Sequence, residues 1–125
     1  MLRREQVIEK AYECGFGDIG FTTAEPFDHH RELLYQREDD YGWAEALGLA
    51  LREGSDPRTI LPDAKTVIVV LEEYYRESFP RSVEPYFGRC YLDDDRVTRD
   101  GLALRIKAFR SFLRDNGIDS KVPFN

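Results

Sequence analysis

Two stretches of this chain put aromatic rings beside arginine and glycine, a combination suited to holding a large flat ligand. The first runs from Asp56-Pro57-Arg58-Thr59-Ile60-Leu61-Pro62-Asp63-Ala64-Lys65 through an apolar run to Tyr74-Tyr75. The second is Tyr86-Phe87-Gly88-Arg89-Cys90-Tyr91. Aromatic faces stack on planar groups, and a glycine lets backbone come close to them. Each stretch falls in a loop at the end of a predicted strand, where α/β sheets usually place ligands. The plainer alternative is that these tyrosines roof the core, and spacing alone does not choose between the two.

The remaining candidates carry less chemistry. His29 and His30 are adjacent, so on a helix they point about 100° apart and one metal could not easily use both. Cys14 and Cys90 are the two cysteines. They cannot make a disulfide framework, nor by themselves a zinc or iron–sulfur site, which takes about four ligands. No metal-ligand set is therefore expected. Gly15, Gly17 and Gly20 follow a helix and precede a strand, the reverse of a dinucleotide fingerprint. Asp93-Asp94-Asp95 precedes a predicted helix, where carboxylates suit the positive end of the dipole, and the spaced ligands of a calcium loop are missing. No nucleophile elbow and no Walker-type phosphate loop is present.

These residues need a scaffold, and 125 residues supply one domain. With 42% hydrophobic and 13% aromatic residues the chain can bury a real core. Its 24 acidic residues outnumber 18 basic ones, for a net charge of −6. That balance argues against a domain that grips nucleic acid by its phosphates, which needs surplus Lys and Arg. The longest apolar runs fall far short of the roughly 20 residues that span a bilayer, and the N-terminus does not read as a signal peptide. The expectation is a cytoplasmic protein with no membrane contact.

Periodicity predicts a helix over 3–14, with Ile8, Ala11 and Tyr12 on one side and Gly15 stopping it. A strand follows over Phe16–Thr23. Helices are predicted near 28–38 and 40–52, the second carrying Trp43, Ala46, Leu47 and Leu51 at helical spacing. Ser55 or Asp56 is placed to cap a short turn opening with Pro57. Thr66–Leu71 is β-branched and apolar throughout, which predicts a central strand buried on both faces. A loop with Pro80 and Pro85 leads to a second strand over Phe87–Leu92. A helix over Asp95–Asn116 carries the stripe Leu102, Ile106, Phe109, Leu113 and ends at Gly117, and Ile118–Phe124 reads as extended. The order gives an α/β or α+β fold, a mixed sheet flanked by helices.

At these same segments the sequence resembles the N-terminal domain of the epoxyqueuosine reductase family, cobalamin-dependent iron–sulfur enzymes related to reductive dehalogenases. The resemblance starts at Gly15-Phe16-Gly17-Asp18-Ile19-Gly20-Phe21 and continues through Ala24-Glu25-Pro26. It is strongest at Asp56–Val70, similar to the family's Asp-Pro-Arg, Leu-Leu-Pro and Ala-Lys-Ser-Val-Ile-Val, and it resumes at Tyr86–Tyr91 and Asp119-Ser120. It implies that residues 1–125 form one N-terminal domain with a nitroreductase-like cobalamin-binding core. A separate cysteine-rich C-terminal domain would carry two 4Fe–4S clusters. No Cys-x-x-Cys-x-x-Cys run occurs here, so the resemblance implies a fragment of a longer protein, with that iron–sulfur domain as its partner. By the same resemblance Tyr74, Tyr75, Phe87, Gly88, Arg89 and Tyr91 line the cofactor site.

One departure bears on chemistry. Where the family reads Gly-Arg-Asp-Tyr-His, this chain reads Gly88-Arg89-Cys90-Tyr91-Leu92. Cys90 thus stands at the proton-donor position, and a thiol with a pKa near about 8.5 is a different acid from a carboxyl near about 4. The expected substrate is a small molecule or modified nucleoside other than epoxyqueuosine on tRNA, which would want basic surface. Two other readings remain. The domain could be a non-catalytic interaction or scaffold module without the cofactor, or Cys90 could be a nucleophile, which would need a base beside it.

Overall fold

The structure, a computed structural model, describes residues 1–73, 79–88 and 101–123. Among them the fold is mixed α+β. Four helices, α1 (Arg4–Glu13), α2 (Asp28–Gln36), α3 (Glu38–Ala46) and α4 (Leu102–Asp115), accompany a two-stranded sheet of β1 (Asp18–Thr23) and β2 (Thr66–Leu71). The Gly17 amide donates to Leu71 O at 2.8 Å and the Ala24 amide to Lys65 O at 3.1 Å, so the strands run antiparallel. The chain divides into two compact units, Met1–Gly20 with Val69–Asp119, and Phe21–Ile68 with Ser120–Asn125.

In the first unit α1 packs on α4. The Gln6 side chain accepts the Arg3 backbone N–H at 2.9 Å, satisfying one free donor at the helix start. The buried face of α1 is Val7 and Ala11, one turn apart. Ala11 was expected there, but Tyr12 is 51% exposed because its hydroxyl reaches the Asp18 carboxylate at 3.3 Å. Gly15, at φ +86°, lets the chain reverse so that the Phe16 amide returns to Ala11 O at 3.1 Å. That turn drives Phe16 into the core, edge-on to Phe109 with ring centroids 6.0 Å apart. Phe109 and Leu113 of the expected α4 stripe are buried, Leu102 and Ile106 half-buried.

A second tie sits at the exit of β2. Glu72 receives Arg105 in a two-pronged pair, Nη1 to Oε2 at 2.6 Å and Nη2 to Oε1 at 2.5 Å. Nη1 also donates to Gly15 O at 3.3 Å, and the guanidinium lies 5.7 Å from the Phe16 ring centroid. One arginine on α4 thereby holds both the turn before β1 and the end of β2.

In the second unit α2 packs on α3 and on the 3₁₀ turn Glu53–Ser55. Its buried residues are small: Ala24, Ala44 and Ser55. The helix expected over 40–52 ends at Ala46, because Gly48 at φ +87° reverses the chain and the Leu49 amide returns to Ala44 O at 3.0 Å. Trp43, Leu47 and Leu51, expected as a core stripe, are 59%, 74% and 41% exposed.

β2 spans the predicted residues but is not buried on both faces. Val69 and Leu71 are 49% and 54% exposed. The reason is its neighbourhood: β1 is its one partner strand among the described residues. Phe87 and Gly88 carry no strand pairing, and the rest of the strand expected over Phe87–Leu92 lies outside the described residues, as do Asp93-Asp94-Asp95 and the first turns of the helix expected from Asp95. Ile118–Pro123 pairs with no strand among the described residues.

Candidate cofactor-binding surface

The Asp-Pro-Arg stretch is a turn builder. Asp56 caps the 3₁₀ turn Pro57–Thr59, accepting the Arg58 amide at 3.0 Å, with Pro57 supplying the fixed φ of its first residue. Thr59 Oγ1 donates to Asp56 O at 2.7 Å and to Glu53 O at 3.0 Å. Ser55, 1% exposed, donates its hydroxyl to Arg52 O at 2.6 Å, and its backbone carbonyl accepts the Phe27 amide at 2.8 Å. The specificity of this stretch is therefore local: it stacks two tight turns and feeds the chain into β2. Arg58 is exposed.

Beyond β2 the described residues form an aromatic ledge. Pro80 O accepts the Val83 and Glu84 amides at 2.9 and 3.1 Å, and the Tyr86 amide donates to Val83 O at 2.9 Å. These successive turns deliver Phe87 in an extended conformation beside Phe79, ring centroids 5.8 Å apart and tilted by 36°. Tyr86 is 80% exposed and Phe87 54%. These rings leave apolar area open to water. Of the residues singled out from the sequence, Phe87 and Gly88 lie here, both exposed. Tyr74, Tyr75, Arg89, Cys90 and Tyr91 lie outside the described residues. Phe79 went unremarked in the sequence. Its signal was the Phe79-Pro80 pair, eight residues ahead of Phe87, which no periodicity connects.

Among the described residues no three His, Cys, Asp or Glu side chains gather as ligands. His29 and His30 are exposed on α2, and Cys14 is half-buried at the end of α1. No helix among the described residues is long and apolar enough to cross a membrane.

The second unit holds a shallow depression beside α3, lined by Leu34, Glu38, Tyr41, Gly42, Glu45, Leu51 and Arg52. Arg52 fills its polar side. Its Nε donates to Glu45 Oε1 at 2.6 Å, its Nη2 pairs with Glu45 Oε2 and reaches Glu38 Oε1 at 3.3 Å, and its guanidinium covers the Tyr35 ring at 4.9 Å. The hydrogen bonds from Arg52, with its positive charge, hold the Glu45 carboxyl below the usual 4.5. Lowering works in one direction: the folded state binds this proton less readily than the unfolded chain. The stabilisation is whole above the usual carboxylate value and is lost as pH falls through the lowered one. Glu45→Gln should melt below the parent at neutral pH, and the gap should close in acid. Thermal melts across that range check it, and a gap independent of pH would refute the assignment.

An epoxyqueuosine reductase of Staphylococcus aureus (strain NCTC 8325 / PS 47) is 34% identical over 128 aligned residues, 96% of this chain. The chain resembles epoxyqueuosine reductase along almost its whole length. It spans 31% of that relative, so about two-thirds of the reductase has no counterpart here. No family model and no solved structure matches. The resemblance read from the Asp-Pro-Arg and Tyr86–Tyr91 stretches thus holds at the level of the whole chain.

Proposed function

We propose that this chain is the cobalamin-binding part of an iron–sulfur-dependent reductase similar to epoxyqueuosine reductase, acting on a different substrate. The observation that carries the reading is the 34% identity over 96% of the chain. The Phe79–Phe87 pair with Tyr86 at its edge supports it, since these rings offer a broad apolar face to a corrin. Tyr74, Tyr75, Gly88, Arg89 and Tyr91 would complete that site, and Cys90 would hold the proton to be donated.

Cobalamin, when bound, supplies the redox chemistry. The chain's part is to stack against the ring, exclude water around it and orient the substrate. The clusters do not fit this chain: each 4Fe–4S centre takes four thiolates, and there are two cysteines in all. They would belong to a cysteine-rich companion corresponding to the unmatched part of the relative. The substrate is a small molecule or modified nucleoside. The thiol at position 90 and the net charge of −6 favour one other than epoxyqueuosine on tRNA.

Titration with cob(II)alamin, followed in the visible spectrum, tests this. Saturable binding is expected, and Phe87→Ala should weaken it about 5- to 30-fold, the equivalent of roughly 1–2 kcal/mol for one stacked ring. Phe87 is half exposed, so the variant should keep its fold, which circular dichroism checks. Absence of any spectral change at concentrations of about 100 μM, a binding energy near 5.5 kcal/mol, would remove the cofactor and leave an interaction module.

A further inference from the structure

We infer that Phe79 is a positioning residue of the cofactor site, bracing Phe87, the ring that meets the corrin; this assignment rests on the cobalamin reading above and gives the two rings of the ledge different roles. They differ in what they leave to water. Phe79 is half-buried, whereas Phe87 keeps 54% of its surface exposed. Their centroids lie 5.8 Å apart, so one side of the Phe87 ring is taken by its neighbour. The more open ring is the one a flat ligand can reach.

Phe87 needs the brace because its own backbone does not fix its ring. It has left the 3₁₀ turn Glu84–Tyr86 and is extended, at φ −127° and ψ 138°. On extended backbone two χ1 rotamers are common, and they aim the ring in different directions. Contact with Phe79 favours one of them before any ligand arrives. The brace is itself held, since Pro80 follows Phe79 and a residue before proline is confined to extended backbone. The turns at Pro80 and Val83 then carry the chain round, so that the two rings meet across seven intervening residues. A ring fixed in advance loses less freedom on binding, and that difference appears as affinity.

The test is a double-mutant cycle read by cob(II)alamin titration, with circular dichroism confirming that each variant is folded. Phe79→Leu should weaken binding about 2- to 10-fold, less than Phe87→Ala does. Phe79→Tyr keeps the ring and should bind as the parent does. In the Phe87→Ala background Phe79→Leu should cost nothing further, because the brace then has nothing to hold. A merely structural role would lower affinity in both backgrounds, in step with the urea midpoint. Equal losses in the two backgrounds overturn the assignment, as does unchanged affinity in Phe79→Leu, and either result leaves the cofactor reading standing. A parent chain that binds no cob(II)alamin overturns both.

Discussion

Phe109→Ala is expected to lower the stability of this protein by about 3–5 kcal/mol, the cost of deleting a buried aromatic ring and leaving the space behind it. Phe109 is 5% exposed and meets Phe16 edge-on at 6.0 Å. With Val7, Ala11 and Leu113 these two rings make up the buried apolar residues of the first unit among the described residues. A domain typically holds about 5–15 kcal/mol in total, so the variant should sit near the edge of folding. The loss is local in origin but not in consequence, because Phe16 also fixes the turn at Gly15 that sends the chain into β1. Urea titration gives the number. Phe109→Leu, which refills most of the space, should recover more than half of it, and a loss under about 1 kcal/mol in Phe109→Ala would mean the ring is not central to the core.

The second large effect is expected at Glu72 and Arg105. Their side chains are 14% and 20% exposed, too buried to count as an ordinary surface pair. Breaking such a pair leaves a poorly hydrated charge behind, which costs about 3–5 kcal/mol in a full interior and is expected at about 2–3 here. Arg105→Lys should not rescue, since an ammonium cannot serve both carboxylate oxygens, Gly15 O and the Phe16 face at once. A double-mutant cycle with Glu72→Ala and Arg105→Ala isolates the pair, with an expected coupling of about 1–2 kcal/mol. Additive losses would make the pair incidental. Glu72 directly follows β2, so this ion pair holds the exit of that strand.

Much of the local structure could be read directly. Asp56 and Pro57 specify their turn through a carboxylate that accepts a nearby amide and a ring that fixes φ. Gly15 and Gly117 end their helices because the chain must take a left-handed residue there. The stripe ending in Phe109 and Leu113 announced its helix by period alone. Gly48 carried the same signal, yet the apolar spacing through Leu47 and Leu51 suggested a continuing helix, and the glycine prevailed. Period marks which residues share a face, but not whether anything lies opposite, and so Trp43 and Leu47 looked like core.

What the sequence determined by itself, then, were the first and last helices, both described strands, the turn at Asp56-Pro57 and the likeness to epoxyqueuosine reductase, all encoded in neighbours a few residues apart or in order along the chain. Tertiary structure alone decided that β2 has a single described partner strand, that Arg105 ties Gly15 to Glu72, that Phe79 stacks on Phe87, and that α3 keeps its tryptophan in water. These depend on residues distant in sequence meeting in space, and burial is a property of that meeting rather than of any residue type.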